Sequence, residues 1–391
     1  MTSSDLPGPR PPHSCPAPLC SPPVGLDVPA TGRLAAPVRL RDQGEVIAAV
    51  PALIGFHPER SLVLLAMGGE SGKRVGLTLR VDLPPPEFET DVADTAVRSL
   101  LLDDPLGAIV LVVAGRPPGA GTDPPHPRFA EHVARELEER GVEVRAVLWA
   151  EGTSAGSRWR CYDACGCSGR LPDPASSTVL ATAVAGGQVV HRDRAALERL
   201  VAPVDDERLR CREEMLVRAV EHELAGEPGG PDAPDISLVF SAISDAQAGR
   251  LELDDERVVR LALALSAPAV RDAALLRSAG VDAAGAELLW AALTRETPDP
   301  EAAQPAALLA VSALLRGDGA LANVALERAE RAWPGHHLTG LLRVASQAGI
   351  RPAEVRSWLD GCTHPRQQPD GGAQSSRPPA QRSSRRSRRR R

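Results

Sequence analysis

Ala108-Ile109-Val110-Leu111-Val112-Val113-Ala114 is apolar at every position, with no alternation of polar and apolar residues. A short β-branched run of this kind predicts a central strand covered on both faces. Leu62-Val63-Leu64-Leu65-Ala66 upstream reads the same way. It is followed by a Gly68-Gly69 and Ser71-Gly72 turn signal and then a strand that alternates. There Val75, Leu77, Leu79 and Val81 are expected on one side, and Gly76, Thr78, Arg80 and Asp82 on the other.

Working outward, Pro84-Pro85-Pro86 breaks the chain before a helix with Phe88, Val92, Ala96 and Leu100 on one stripe. After the central run, a loop from Gly115 to Pro127 leads to a helix carrying Phe129, Val133 and Leu137, stopped by Gly141. Val142, Val144, Ala146 and Leu148 form a further strand. Upstream, Asp42 and Glu45 have the spacing of a capping box. They open a helix with Val46, Ile47, Val50, Leu53 and Ile54, interrupted by Pro51 and ended at Gly55. Strands alternating with helices predict an α/β fold with a mostly parallel sheet and one antiparallel hairpin.

Beyond about residue 195 the helical period takes over. Leu209, Leu216, Val220 and Leu224 make one stripe, and Val258, Leu261, Ala262 and Leu265 another. Ile236-Ser237-Leu238-Val239-Phe240 reads as either strand or helix. An all-helical C-terminal domain is expected, with one tetratricopeptide-like helical hairpin placing Ala310, Gly317, Ala322, Ala329 and Pro334 at their repeat positions. The alternative is an ordinary Ala-rich hairpin. The expected organisation is a disordered Pro-rich segment (1–36), an α/β domain (37–195) with a Cys-containing insert at 151–175, a helical domain (196–362) and a disordered Arg-rich tail (363–391).

The 391 residues carry a formal charge of −6, and only 3 % of them are aromatic. Lys73 is the one lysine; the remaining basic residues are arginine, a bias that GC-rich codons explain. The Arg-rich tail is basic and the body acidic. Such a tail could contact nucleic acid or another polyanion weakly and without sequence specificity, or simply be solvated. No apolar run approaches the roughly 18 residues of a membrane span. The N-terminus has no apolar signal-peptide core, so a cytoplasmic protein with reduced thiols is expected.

Three features could carry chemistry. In Gly55-Phe56-His57-Pro58-Glu59-Arg60-Ser61, His57 could act as an acid/base group and Ser61 as a nucleophile. Alternatively the segment is a helix-to-strand turn, plugged by Phe56 and rigidified by Pro58. Cys161, Cys165 and Cys167 could offer soft ligands to zinc, with Cys211 or His191 as a fourth. They could also be a redox pair or plain small buried residues. The loop from Gly115 to Gly121 matches no phosphate-binding motif. It does lie where ligands bind in open α/β sheets, which makes Arg116, Asp123, His126 and Glu151 ligand candidates by position, along with Trp149.

The run Leu40-Arg41-Asp42-Gln43-Gly44-Glu45-Val46-Ile47-Ala48-Ala49-Val50-Pro51, continuing through Gly55-Phe56-His57-Pro58 and Ser61-Leu62-Val63 to Val75–Leu83, resembles the actinobacterial domain of unknown function 4192 family. Trp159, Tyr162, Cys165 and Cys167, and the segment Arg316–Ala329, are similar too. The resemblance covers roughly residues 38–360. It implies an organism class and an extent but no activity. Members often show Cys-Cys-Pro in the insert, where this chain has Cys165-Gly166-Cys167-Ser168. With no catalytic constellation in view, the leading expectation is a non-enzymatic interaction or scaffold protein with a protein partner on the helical domain. The alternative is an enzyme or small-ligand sensor at the α/β edge near His57.

Overall fold

The computed structural model describes residues 26–28, 38–116, 123–173, 177–185, 189–225, 235–347 and 352–363. The readings made of the Arg-rich tail from 364 onward, of residues 117–122, and of most of the first 36 residues lie outside the described residues.

One eight-stranded sheet organises the first half. Its strands are β1 (Leu26–Val28), β2 (Val38–Leu40), β3 (Ser61–Gly68), β4 (Arg74–Asp82), β5 (Gly107–Val113), β6 (Glu143–Ala150), β7 (Arg158–Cys161) and β8 (Ser168–Arg170), in the order β2-β1-β4-β3-β5-β6-β7-β8. The sheet is mixed, not mostly parallel: only β5–β6 and the short β1–β4 contact are parallel. After the helix α2 (Glu89–Leu101), β5 does run in the direction of β4, as after a crossover, since both are antiparallel to β3. But β5 docks on the far side of β3, which runs the opposite way. Element order cannot reveal which edge of a hairpin the next strand joins. β1 lies within the first 36 residues; Leu26 and Val28 are buried there and pair with β2.

β3 and β5 are buried along almost their whole length. Leu62, Leu64, Val110 and Val112 face α2 and α3 (Pro127–Glu139). Val63, Leu65, Ile109 and Leu111 face the opposite core, which includes α1 (Gln43–Ile54). The expected alternation of β4 fails at one point. A register shift between Leu65 and Met67 puts Val75 with the α1 core, while Leu77, Leu79 and Val81 join the other face. Gly76 sits at this bulge, where a side chain would collide with the Asp103 carboxylate that accepts the Leu77 N–H at 2.8 Å. A second shift at Arg145 in β6 sends Val144 and Ala146 to opposite faces.

α1 begins as the capping spacing predicts, with Asp42 accepting the Glu45 N–H at 2.9 Å and Glu45 reaching back to the Arg41 N–H. It runs through Pro51 and ends at Gly55, whose φ of +89° suits a residue without Cβ. α4 (Thr178–Ala185) packs beside it.

From Arg194 onward the elements among the described residues are all helices: α5 (Arg194–Val201), α6 (Asp206–Ala225), α7 (Ile236–Gln247), α8 (Asp255–Ser266), α9 (Pro268–Arg277), α10 (Ala283–Glu296), α11 (Ala303–Arg316), α12 (Gly319–Ala332), α13 (His337–Gln347) and α14 (Pro352–Thr363). The ambiguous 236–240 run is helix: Asp235 caps it by accepting the Ser237 N–H, and Val239 enters the core. Ala310, Ala322 and Ala329 are fully buried in the α11–α12 hairpin, and Gly317 turns it with φ +80°. α11 is buried on nearly every side, so this hairpin is core. Arg212 of α6 has no exposed side-chain surface. It donates to Asp255 at 2.7 Å and to the Glu296 carboxylate and carbonyl, joining α6, α8 and α10. Buried residues of the sheet, α1 and α7–α12 belong to one continuous apolar core.

α10 approaches α7 through Gly285, where a Cβ would stand 2.5 Å from the Ile243 carbonyl oxygen. Gly285→Ala must force the helices apart. A loss of about 1–3 kcal/mol is expected, read as a lower urea midpoint with unchanged slope.

Candidate functional site at the carboxyl edge of the sheet

Register places Asp82, Ser61, Val113, Ala150 and Trp159 in one row across five strands. Just beyond this row lie the carboxyl ends of β5 and β6 and the loop from Gly55 to Arg60, which enters β3. The loop is clamped from outside the sheet. The Gly55 carbonyl accepts the His191 N–H at 2.8 Å, and the His191 carbonyl accepts the His57 N–H at 3.2 Å. Phe56 is buried, as a plug should be, and the Arg80 guanidinium lies over its ring.

His57 Nδ1 lies 2.9 Å from the hydroxyl of Thr153, itself buried just past β6. The imidazole is half-buried, and desolvation holds its pKa below the ordinary histidine value. It borders an open cleft of about 370 Å³ whose other lining side chains, among the described residues, are apolar: Ala48, Pro51 and Ala52 of α1, Leu180 and Val184 of α4, and Val189 and Val190.

Ser61 does not partner His57. Its buried hydroxyl donates to the Glu59 carbonyl at 2.7 Å and accepts from Arg80 Nε at 2.8 Å. The hydroxyl proton is committed to the turn, and no hydrogen bond links the two residues as nucleophile and base.

The positional candidates separate. The Arg116 guanidinium lies 5.0 Å from the Trp149 ring centroid, and the indole N–H donates to the Ala114 carbonyl. Glu151 pairs with Arg158 at 3.2 Å, and that hydrogen bond lowers its pKa. Asp123 is exposed and lies 3.6 Å from Arg160. His126 occupies the N-cap of α3 with φ +57° and makes no side-chain cap bond. Arg116 and Glu151 are near enough for the cation to lower the acid's pKa further, whereas Asp123 meets Arg160 at the surface and His126 holds α3 only through its carbonyl, which accepts the Ala130 N–H.

The insert forms the β7–β8 hairpin on the sheet edge. Within it the Sγ atoms of Cys161, Cys165 and Cys167 all lie within 4.8 Å of one another. Cys161 is buried, the other two are half-buried, and no disulfide joins them. Neither Cys211, exposed on α6, nor His191 belongs to this group.

Thr153 and the clamp at His191 escaped the sequence reading. Thr153 follows an ordinary Gly152 in a loop, and His191 reaches Phe56 only through the tertiary fold.

These features define a mixed α/β protein with an appended helical region and a histidine-bordered cleft. The family model described as domain of unknown function (DUF4192) matches residues 44–353. The chain belongs to that family. No curated protein and no solved structure matches it. No helix among the described residues is long and apolar enough to cross a membrane.

Burial lowers the pKa of His57, and also of His336, whose Nδ1 lies 2.8 Å from the Thr339 hydroxyl. In the unfolded chain both take up a proton near pH 6.5, while the folded chain resists. Stability should therefore be unaffected by them above that pH and fall as pH drops towards their folded values. Urea denaturation between about pH 7.5 and 5 should show this decline, and His57→Gln should flatten part of it.

Proposed function

We propose that the protein binds a small, largely apolar ligand in the cleft beside His57 and acts as a ligand-binding or sensor protein. The observation that carries this reading is the placement of one oriented, half-buried imidazole among the apolar side chains that line the cleft in the described residues. Apolar walls with few polar groups are the usual make-up of small-molecule sites. Thr153 fixes the ring's orientation, so the imidazole can confer selectivity by a single hydrogen bond. With the Ser61 hydroxyl turned to Glu59 and Arg80, the arrangement supports recognition more than acyl-transfer chemistry. On this reading the α/β part (37–195) carries the site and the helical part (196–362) buttresses it.

An interaction role for the helical part keeps support from α6. Val217, Val220 and Leu224 are exposed there at helical spacing, as a partner helix would require.

The cleft reading is tested with anilinonaphthalene sulfonate, an apolar dye that fluoresces on leaving water. The folded chain should bind it saturably. Val184→Glu and Val189→Glu alter exposed cleft positions, and each should weaken binding at least about tenfold by placing a charge against the dye. His57→Ala should change the affinity while the thermal midpoint shows a folded protein. Dye binding that does not saturate, or that survives both glutamates unchanged, removes the reading.

A further inference from the structure

We propose that Cys161, Cys165 and Cys167 form a metal site that takes one zinc ion as three thiolates. The inference is independent of the cleft. It rests on how the β7–β8 hairpin brings three sulfurs from seven residues to one point.

Cys161 ends β7, and its N–H donates to the Cys167 carbonyl at 2.9 Å, so the neck of the hairpin sets these two residues opposite each other. Cys165 lies in the connecting loop. Gly166, with φ +69°, turns the chain so that the Cys165 sulfur accepts the Cys167 N–H at 3.4 Å. Thus the backbone, and not only the side chains, holds the sulfurs together.

The spacing suits a metal. A tetrahedral zinc with Zn–S bonds of about 2.3 Å keeps its sulfurs roughly 3.8 Å apart. The observed spread of up to 4.8 Å closes to that by small side-chain rotations at the half-buried Cys165 and Cys167. A disulfide needs a sulfur pair at about 2.05 Å. An all-thiolate set selects soft or borderline cations and rejects magnesium and calcium. Binding converts three thiols to thiolates, releases three protons and leaves a complex of net charge −1. The fourth position goes to water or to an external donor, as in zinc sites with three protein ligands. The ion would cross-link the edge hairpin, whose preceding loop carries Thr153.

The full-length chain, reduced and freed of metal with a chelator, is titrated with Co²⁺ and then Zn²⁺. We expect one Co²⁺ per chain, a thiolate-to-cobalt charge-transfer band with tetrahedral visible bands, proton release, and displacement of cobalt by zinc. Cys165→Ser and Cys167→Ser should each weaken zinc binding by more than the roughly 10–100-fold that loss of an outer-shell partner costs. Cys211→Ser should leave it unchanged. The wild-type cobalt spectrum needs no variant and is decisive by itself. Absence of the band in a chain whose thiols titrate as fully reduced overturns the proposal, as does unchanged zinc affinity in both serine variants. So does a chain whose Cys165 and Cys167 form a disulfide and that, once reduced, still shows no band.

Discussion

A strand that is apolar on both faces cannot border water on either, and this chain has two of them side by side. β3 and β5 bury every residue from Ser61 to Met67 and from Gly107 to Val113. At about 25 cal/mol for each Å² of apolar surface removed from water, two adjacent uncovered strands would be strongly unfavourable. Both faces must therefore be roofed. α2 and α3 roof one face with Ala93, Val97, Leu100, Phe129 and Val133. The other is roofed by α1, and the same apolar core continues into the helical half of the chain.

The candidate sites follow from where this cover stops. At the carboxyl edge of β5 and β6 the roof gives way to loops, and the turn from α1 into β3 is held there by His191 on one side and Thr153 on the other. Farther along the sheet, the β7–β8 hairpin extends the edge and carries the three thiols. Neither site lies on the two central strands. Those strands supply rigid registration, and the loops beyond them supply the polar groups.

The helical half is held by a different device. Arg212 is wholly buried, and its charge is met by Asp255 and Glu296 from two other helices. A buried pair of this kind is weak support for net stability, but removing one partner leaves an uncompensated charge and is severely destabilising. It links α6 to both α8 and α10. Gly285 sets how closely α7 and α10 approach.

The one-dimensional pattern determined the elements that depend on local physics. The two-faced apolar runs, the Asp42–Glu45 cap, the Gly55 stop and the helical period after residue 195 all act within a few residues, so they could be read directly. What lay between distant residues was decided by tertiary structure. Whether β5 docks beside β4 or beside β3 depends on which edge of a hairpin is open, and that turned an expected mostly parallel sheet with one antiparallel hairpin into a mixed one. The bulges at Gly76 and Arg145 reverse side-chain faces that simple alternation would have kept. For the sites, His57 and the three cysteines were legible as residue types. Thr153, the true neighbour of His57, was not, because ninety-six positions separate the two and only the folded sheet brings β6 past the end of α1.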